Sequence, residues 1–203
     1  MDATDFVTAL DMLATFAFAL VASRIAAGKG LDFGGIALVA AVASLAGGTL
    51  RNLFTGERPP WLLNPWLLLA VLVAVVFTIS QREIKQVGRL VLSLDTFGLA
   101  VATVSSANFA VSAHSGFVGS MMLGLIGGVT GGLLRDVLCQ VEPVLLHRET
   151  IGTACLIGAF AYVVLERVNV ADPITAVISG LIVILVRELS IKFDWHLPKM
   201  KRI

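Results

Sequence analysis

Long runs of apolar residues alternate with short polar segments along the whole chain. A helix that crosses a bilayer needs about 20 mostly apolar residues, and seven runs of roughly this length stand between the polar segments. They cover residues 6–25, 34–55, 61–80, 90–112, 117–138, 150–165 and 173–189. The pattern predicts an all-α integral membrane protein with seven transmembrane helices, whose two termini lie on opposite sides of the membrane.

Composition narrows the class of protein further. Hydrophobic residues make up 57% of the 203 residues and charged residues 14%, whereas soluble domains have about 45 to 50% and about 25%. An ordinary soluble domain is therefore excluded, and residues 1–203 are expected to form a single membrane domain. The net charge of +1 gives no basic excess of the kind that binds nucleic acid, so we expect no nucleic-acid partner.

The positions of lysine and arginine predict the orientation of the helices, because these residues are retained on the cytoplasmic side during insertion. One face carries Arg24, Lys29, Arg82, Lys85, Arg89, Arg148, Lys192, Lys199, Lys201 and Arg202, and the other carries Arg58 and Arg167. The N-terminus is thus predicted to lie outside. The C-terminus, with a tail at 192–203, is predicted to be cytoplasmic.

The chain contains an internal repeat, since a shift of 84 residues aligns it with itself without gaps. The aligned segments include Gly47-Gly48-Thr49-Leu50-Arg51 with Gly131-Gly132-Leu133-Leu134-Arg135. The shift predicts three-helix units at 6–80 and 90–165, followed by a seventh helix at 171–191. Because each unit holds an odd number of helices, the second enters the membrane from the other side. Inverted repeats of this kind are typical of transport proteins, which place their pathway near the midplane between the halves.

Two adjacent glycines stand inside the second predicted helix, and two more inside the fifth. They are Gly47 with Gly48 and Gly131 with Gly132. Glycine costs about 1 kcal/mol relative to alanine in a helix interior, so each doublet predicts a kink or a break. A broken helix frees backbone groups, which are tolerated at membrane depth only inside protein or beside water. Thr49 and Thr130 would add hydroxyl groups close to these points.

Strongly polar side chains follow each doublet by about one turn. They are Arg51, Asn52, Arg135 and Asp136. An arginine inside a membrane costs about 2.5 to 3.5 kcal/mol on insertion scales, so it pairs with a carboxylate, meets water or extends its charge to the headgroups. Asp11 and Asp95, equivalent residues of the two repeats, supply carboxylates. We expect both of them and Asp136 to offset the two arginines in a buried polar network, with the individual pairs left open.

Other polar positions give weaker signals. Ser105, Ser106 and Asn108 either line a pathway or bond the backbone of their own helix. Arg187 and Glu188 are expected to extend toward the headgroups at the end of the seventh helix. The sequence has no residues at metal-ligand spacing and no motif of a membrane-embedded enzyme, so we expect neither a cofactor nor catalysis.

Seven helices arranged as three, three and one, with Gly-Gly-x-Leu-Arg in the second and fifth, resemble the trimeric intracellular cation channel family in its short prokaryotic form. The resemblance covers nearly the whole chain. It implies a homotrimer in a prokaryotic cell membrane, in which each protomer conducts potassium and sodium through its own pore. Helices two and five would bound this pore, bent at the glycine doublets. The Lys-Glu-Val motif of animal members is absent from both helices, so phosphoinositide binding is not implied.

Two functions remain open at this point. A channel would pass cations through a hydrated path gated near Arg51 and Arg135, whose charge nearby carboxylates offset. A secondary transporter would instead use an arginine to hold a substrate carboxylate near a helix break. Glycine is the expected substrate in that case, because bacterial members of the family are often described as glycine transporters.

Overall fold

A computed structural model describes residues 3–81, 89–141 and 150–193. Within these ranges every element of regular structure is a helix, which confirms the all-α prediction. The helices are α1 (Ala3–Gly28), α2 (Phe33–Phe54), α3 (Pro60–Leu63), α4 (Trp66–Ile79), α5 (Arg89–Ser112), α6 (Gly116–Leu138), α7 (Thr150–Arg167) and α8 (Asp172–Lys192).

The helices have the length and surface of membrane-spanning segments. Five of those described, α1, α2, α5, α6 and α8, are long and apolar enough to cross a bilayer, and α4 is a shorter apolar helix. Large apolar side chains such as Leu38, Leu72 and Val118 are exposed on the outside of the molecule. An exposed apolar surface of this extent is expected for contact with lipid. With α4 and α7 included, the set is consistent with the seven predicted crossings.

The third predicted helix is not one continuous helix over 61–80. It is divided into α3 and α4 by Asn64 and Pro65, and Asn64 has an extended backbone. A residue that precedes proline is disfavoured in the helical region, and proline lacks the N–H group that an inner turn needs. The prediction of one helix over 61–80 is therefore wrong at its N-terminal end, because it followed the apolar composition and did not take account of Pro65.

Part of the predicted organisation lies outside the described residues. This holds for the tail from residue 194 onward and for the basic residues Arg82, Lys85, Arg148, Lys199, Lys201 and Arg202. The orientation of the termini and the boundaries of the two three-helix units therefore stay predictions.

The two halves of the molecule pack directly on each other. Helix α6 packs against α2, and α1 packs against α5, so both contacts join the first half to the second. Small buried residues such as Ala40, Ala43, Ala107 and Ala154 recur at the helix contacts. Small residues let helix backbones approach closely in lipid, where apolar side chains gain little from meeting each other. Helix α8 closes the second half by packing against α7 and α5.

Helices α2 and α6 run through the glycine doublets without interruption. The predicted break is therefore wrong, while a bend that keeps the helical hydrogen bonds stays a prediction. The glycines instead allow the two helices to touch. A Cβ added at Gly131 would lie 2.5 Å from the Ala43 carbonyl oxygen, and one at Gly47 would clash with the Gly127 carbonyl oxygen.

These two contacts are equivalent under the 84-residue shift, which relates Ala43 to Gly127 and Gly47 to Gly131. Each helix thus places a glycine on the backbone of the other, as expected for a two-fold relation between inverted repeats. The crossing of α2 and α6 is the centre of this relation, and the polar residues lie on either side of it.

Candidate functional site

Arg51, in the last turn of α2, is almost fully buried at 1% exposure. Its Nη1 and Nη2 atoms donate to Oδ1 and Oδ2 of Asp11 on α1, at 3.0 and 2.9 Å. Its Nε donates to Oδ1 of Asn52 at 2.9 Å. Two parallel bonds to a carboxylate are the strongest arrangement that a guanidinium forms. The side chain therefore points into the protein, and its extension toward the headgroups is excluded.

Helix α5 completes this first cluster from the other half of the molecule. The Ser105 hydroxyl accepts a bond from Arg51 Nη1 at 3.0 Å and donates one to Asp11 Oδ1. The ring of Phe109 faces the guanidinium, with 4.3 Å between its centroid and Arg51 Cζ, a distance at which the ring attracts the cation. Together these contacts hold the Arg51 guanidinium between α1, α2 and α5.

The second cluster repeats this pattern around Arg135, which is 4% exposed near the end of α6. One of its terminal nitrogens, Nη1, donates to Asp95 Oδ1 on α5, and its Nε donates to Asp136 Oδ1 at 2.8 Å. Asp95 and Asp136 are the repeat equivalents of Asp11 and Asn52. The pairing that the sequence left open is thus Arg51 with Asp11, and Arg135 with Asp95 and Asp136.

The two clusters lie on opposite sides of the helix crossing. The centre of the crossing falls near residue 45 of α2 and residue 129 of α6, midway between the close backbone contacts. Arg51 and Arg135 each stand six residues beyond this centre, which is about 9 Å along the helix at 1.5 Å per residue. Because the helices belong to inverted repeats, these displacements run in opposite directions.

The predicted threonines use their hydroxyl groups within their own helices. Thr49 Oγ1 donates to the Leu45 carbonyl at 2.7 Å and accepts a bond from Trp61 Nε1 at 3.2 Å. Thr130 Oγ1 donates to the Ile126 carbonyl at 2.5 Å. The hydrogen bond from Trp61 to Thr49 connects the short helix α3 to α2.

A small cavity adjoins the first cluster and reaches the helix crossing. Its volume is about 30 Å³, enough for about two water molecules. The polar residues that line it are Asp11, Thr15, Ser44 and Ser106, and the small ones include Gly47 and Ala102. This narrow space between α1, α2 and α5 adjoins the partly buried carboxylate of Asp11 and is far smaller than a wide channel.

Ser105, Phe109 and Arg187 are the residues that sequence reasoning placed wrongly or missed. Ser105 was expected to line a path or bond its own backbone, but it bonds Asp11 and Arg51 across the two halves. Phe109 has no polar signal in the sequence at all. Arg187 is 1% exposed, so its predicted extension to the headgroups is wrong.

A signal for Arg187 does exist in the sequence. Its helix, α8, carries a face of buried residues at four-residue spacing, namely Thr175, Ser179, Val183 and Arg187. Residues four apart share one face of a helix, so the arginine belongs to the face that packs inward. Helix α8 packs against α7 and α5, so its inward face meets the second half of the molecule. Asn108 likewise bonds inward, donating to the Tyr162 hydroxyl.

The fold and these clusters define a membrane protein built on an inverted repeat, with paired buried arginines around a helix crossing. A family model described as "Glycine transporter" matches residues 8–82 and again residues 92–167. The chain therefore belongs to this family, which its solved relatives identify as that of the trimeric intracellular cation (TRIC) channels. The two matches begin 84 residues apart, which agrees with the internal repeat.

Relatives of known sequence and structure span nearly the whole chain. The inner membrane protein YadS of Escherichia coli is 31% identical over 93% of this chain and 92% of that protein. A membrane protein of Vibrio cholerae is 28% identical over 96% of this chain and 82% of that protein. The solved TRIC orthologue of Rhodobacter sphaeroides is 31% identical, with a TM-score of 0.87 over 94% of this chain and 99% of that one.

Proposed function

We propose that this protein is a channel for the monovalent cations potassium and sodium, with a pathway inside each protomer of a homotrimer. The observation that carries the proposal is the pair of equivalent arginine–carboxylate clusters on opposite sides of the α2–α6 crossing. The solved relatives support it, since they are described as cation channels and the Rhodobacter protein as trimeric. The proposed location is a prokaryotic inner membrane, with the N-terminus outside and the C-terminus in the cytoplasm.

Cations pass beside a buried arginine only where carboxylates offset its charge. Asp11 does this for Arg51 through two hydrogen bonds, and it also lines the small cavity. If Arg51 moves away, both carboxylate oxygens become available to a cation in that cavity. Oxygen atoms that replace part of the hydration shell are the usual basis of cation conduction. Movement of Arg51, and of Arg135 at the equivalent site, is therefore the proposed gate.

Replacing Arg51 by a neutral residue of similar length tests this gate. In planar-bilayer recordings of purified protein, Arg51→Gln is expected to change the open probability, because Asp11 loses the guanidinium that covers it. Arg58→Gln is the matched control, since the Arg58 side chain is exposed and lies only seven residues away. Unchanged open probability and cation selectivity in the Arg51 variant would contradict the proposed gate.

A secondary transporter for glycine is the second candidate. The description of the matching family model favours it, and so does the bidentate geometry of Arg51, which would suit a substrate carboxylate as well as Asp11. Tracer uptake into proteoliposomes separates the two functions. Saturable, ion-coupled accumulation of glycine would support the transporter, whereas cation current in the absence of glycine supports the channel.

A further inference from the structure

The two halves of the molecule differ at one pair of equivalent positions beside the helix crossing. The 84-residue shift relates Phe18 on α1 to Ala102 on α5. Both side chains are buried, yet one is a large aromatic ring and the other a methyl group. The same shift relates the positions that surround these two residues, so the space around Phe18 can be compared directly with the space around Ala102.

Beside the first arginine cluster, the small side chain of Ala102 leaves a space. Ala102, Ala14 and Gly47 all line the 30 Å³ cavity beside the first arginine cluster. The rings of Phe18 and Trp61 border this space without filling it, and about two water molecules fit there.

On the side of the crossing that holds the second arginine cluster, the ring of Phe18 occupies the corresponding space. Positions 98 and 131 are the equivalents of Ala14 and Gly47, and both hold glycine. A Cβ added at Gly98 would lie 3.5 Å from Phe18 Cδ1, and one added at Gly131 would lie 3.5 Å from Phe18 Cδ2. The ring is therefore packed between the two glycine backbones, in the place that corresponds to the cavity beside the first cluster.

The Phe18 ring packs on two helices close to the residues of the second cluster. Gly98 follows Asp95 by three residues, and Gly131 precedes Arg135 by four, so the two glycines that the ring packs against lie about one helical turn, or about 5 Å along their helices, from residues of that cluster. Phe18 also lines the cavity itself. It thus stands between the cavity beside the first cluster and the charged residues of the second cluster.

We infer that Phe18 is the apolar barrier of the pathway, and that its ring separates the cavity at the first cluster from the second cluster. This inference rests on the proposed channel function and adds the residue that limits conduction. Apolar constrictions stop ions by excluding water. The Phe18 ring has this effect here because it fills the space between α1, α5 and α6 that corresponds to the cavity beside the first cluster.

Shortening the side chain tests the inference. In planar bilayers with symmetric potassium chloride, Phe18→Ala is expected to raise the mean cation current at least about tenfold, a barrier change of about 1.4 kcal/mol. Phe18→Leu, which keeps an apolar side chain and the packing, is expected to give an intermediate current and serves if the alanine variant does not assemble. Phe16→Ala is the matched control, because Phe16 is on the same helix but exposed.

A second readout does not depend on current. A structure of Phe18→Ala should show ordered water between Gly98 and Gly131, and adding Ala102→Phe should close the cavity beside the first cluster. Wild-type current with no increase in either Phe18 variant would overturn the inference while leaving the channel function intact. Absence of cation current from the wild type would instead contradict the proposed function itself, while the water in the variant structure would still test the barrier.

Discussion

The close contact of α2 and α6 makes a sharp prediction about the two glycines of one doublet. In Gly131→Ala, the new Cβ would lie 2.5 Å from the Ala43 carbonyl oxygen, whereas ordinary contact begins at 3.4 Å. The obstacle is backbone and cannot rotate away, so the helices must separate by about 0.9 Å. In Gly132→Ala, the nearest atom is Arg135 Nη2 at 3.7 Å, which is ordinary contact.

The magnitude follows from comparing these neighbours. Both substitutions gain up to about 1 kcal/mol of helix propensity, and this gain cancels in the comparison. Overpacking costs about 1 to 3 kcal/mol, and each kcal/mol moves Tm by about 2 to 4 °C in a chain of this length. We therefore expect Gly131→Ala to melt roughly 2 to 12 °C below Gly132→Ala.

Thermal unfolding of the two purified variants in detergent, followed by tryptophan fluorescence, measures this difference. Gly47→Ala is expected to behave like Gly131→Ala, because the two positions are equivalent in the repeat and both meet a backbone oxygen. Equal melting temperatures for the variants at 131 and 132 would refute the reasoning. That result would mean that the close approach of the two backbones contributes little to stability.

Three further substitutions test the polar contacts. Asp11→Asn leaves Arg51 buried without its carboxylate and is expected to destabilise the folded protein by about 3 to 5 kcal/mol. Adding Arg51→Gln to this variant should restore part of the lost melting temperature, and no recovery would contradict the pairing. Ser105→Ala removes two hydrogen bonds to the same pair and should lower the unfolding free energy by about 1 to 3 kcal/mol, measured by denaturant titration. Tyr162→Phe deprives the Asn108 amide of its acceptor and should cost about 1 to 3 kcal/mol; an unchanged melting temperature would show that this bond contributes nothing.

Hydrophobic runs and the repeat predict the fold well, because lipid selects for continuous apolar helices. The break at Pro65 is also encoded in the sequence, but as a proline effect that the apolar composition concealed. The pairing of Arg51 with Asp11 follows from the high cost of an unpaired charge in hydrocarbon. Which aspartate serves which arginine depends on how the helices pack, and this becomes visible only in three dimensions.

The glycine doublets show why the site is harder to predict than the fold. In a sequence, two glycines indicate a weak point of a helix. Whether they bend the helix or admit a neighbour depends on what lies opposite Gly131, and that is the backbone at Ala43, eighty-eight residues away. Phe18 gives no signal of its own either, because an apolar residue in an apolar helix is unremarkable until its repeat equivalent, Ala102, is seen to line a cavity.

The reversal potential of the purified protein in a tenfold potassium chloride gradient tests the central claim most directly. If the carboxylate-balanced clusters enclose a cation pathway, the potential should approach the potassium equilibrium value, about 59 mV for a tenfold gradient of a monovalent ion. A potential near zero, or one of the sign expected for chloride, would contradict the account.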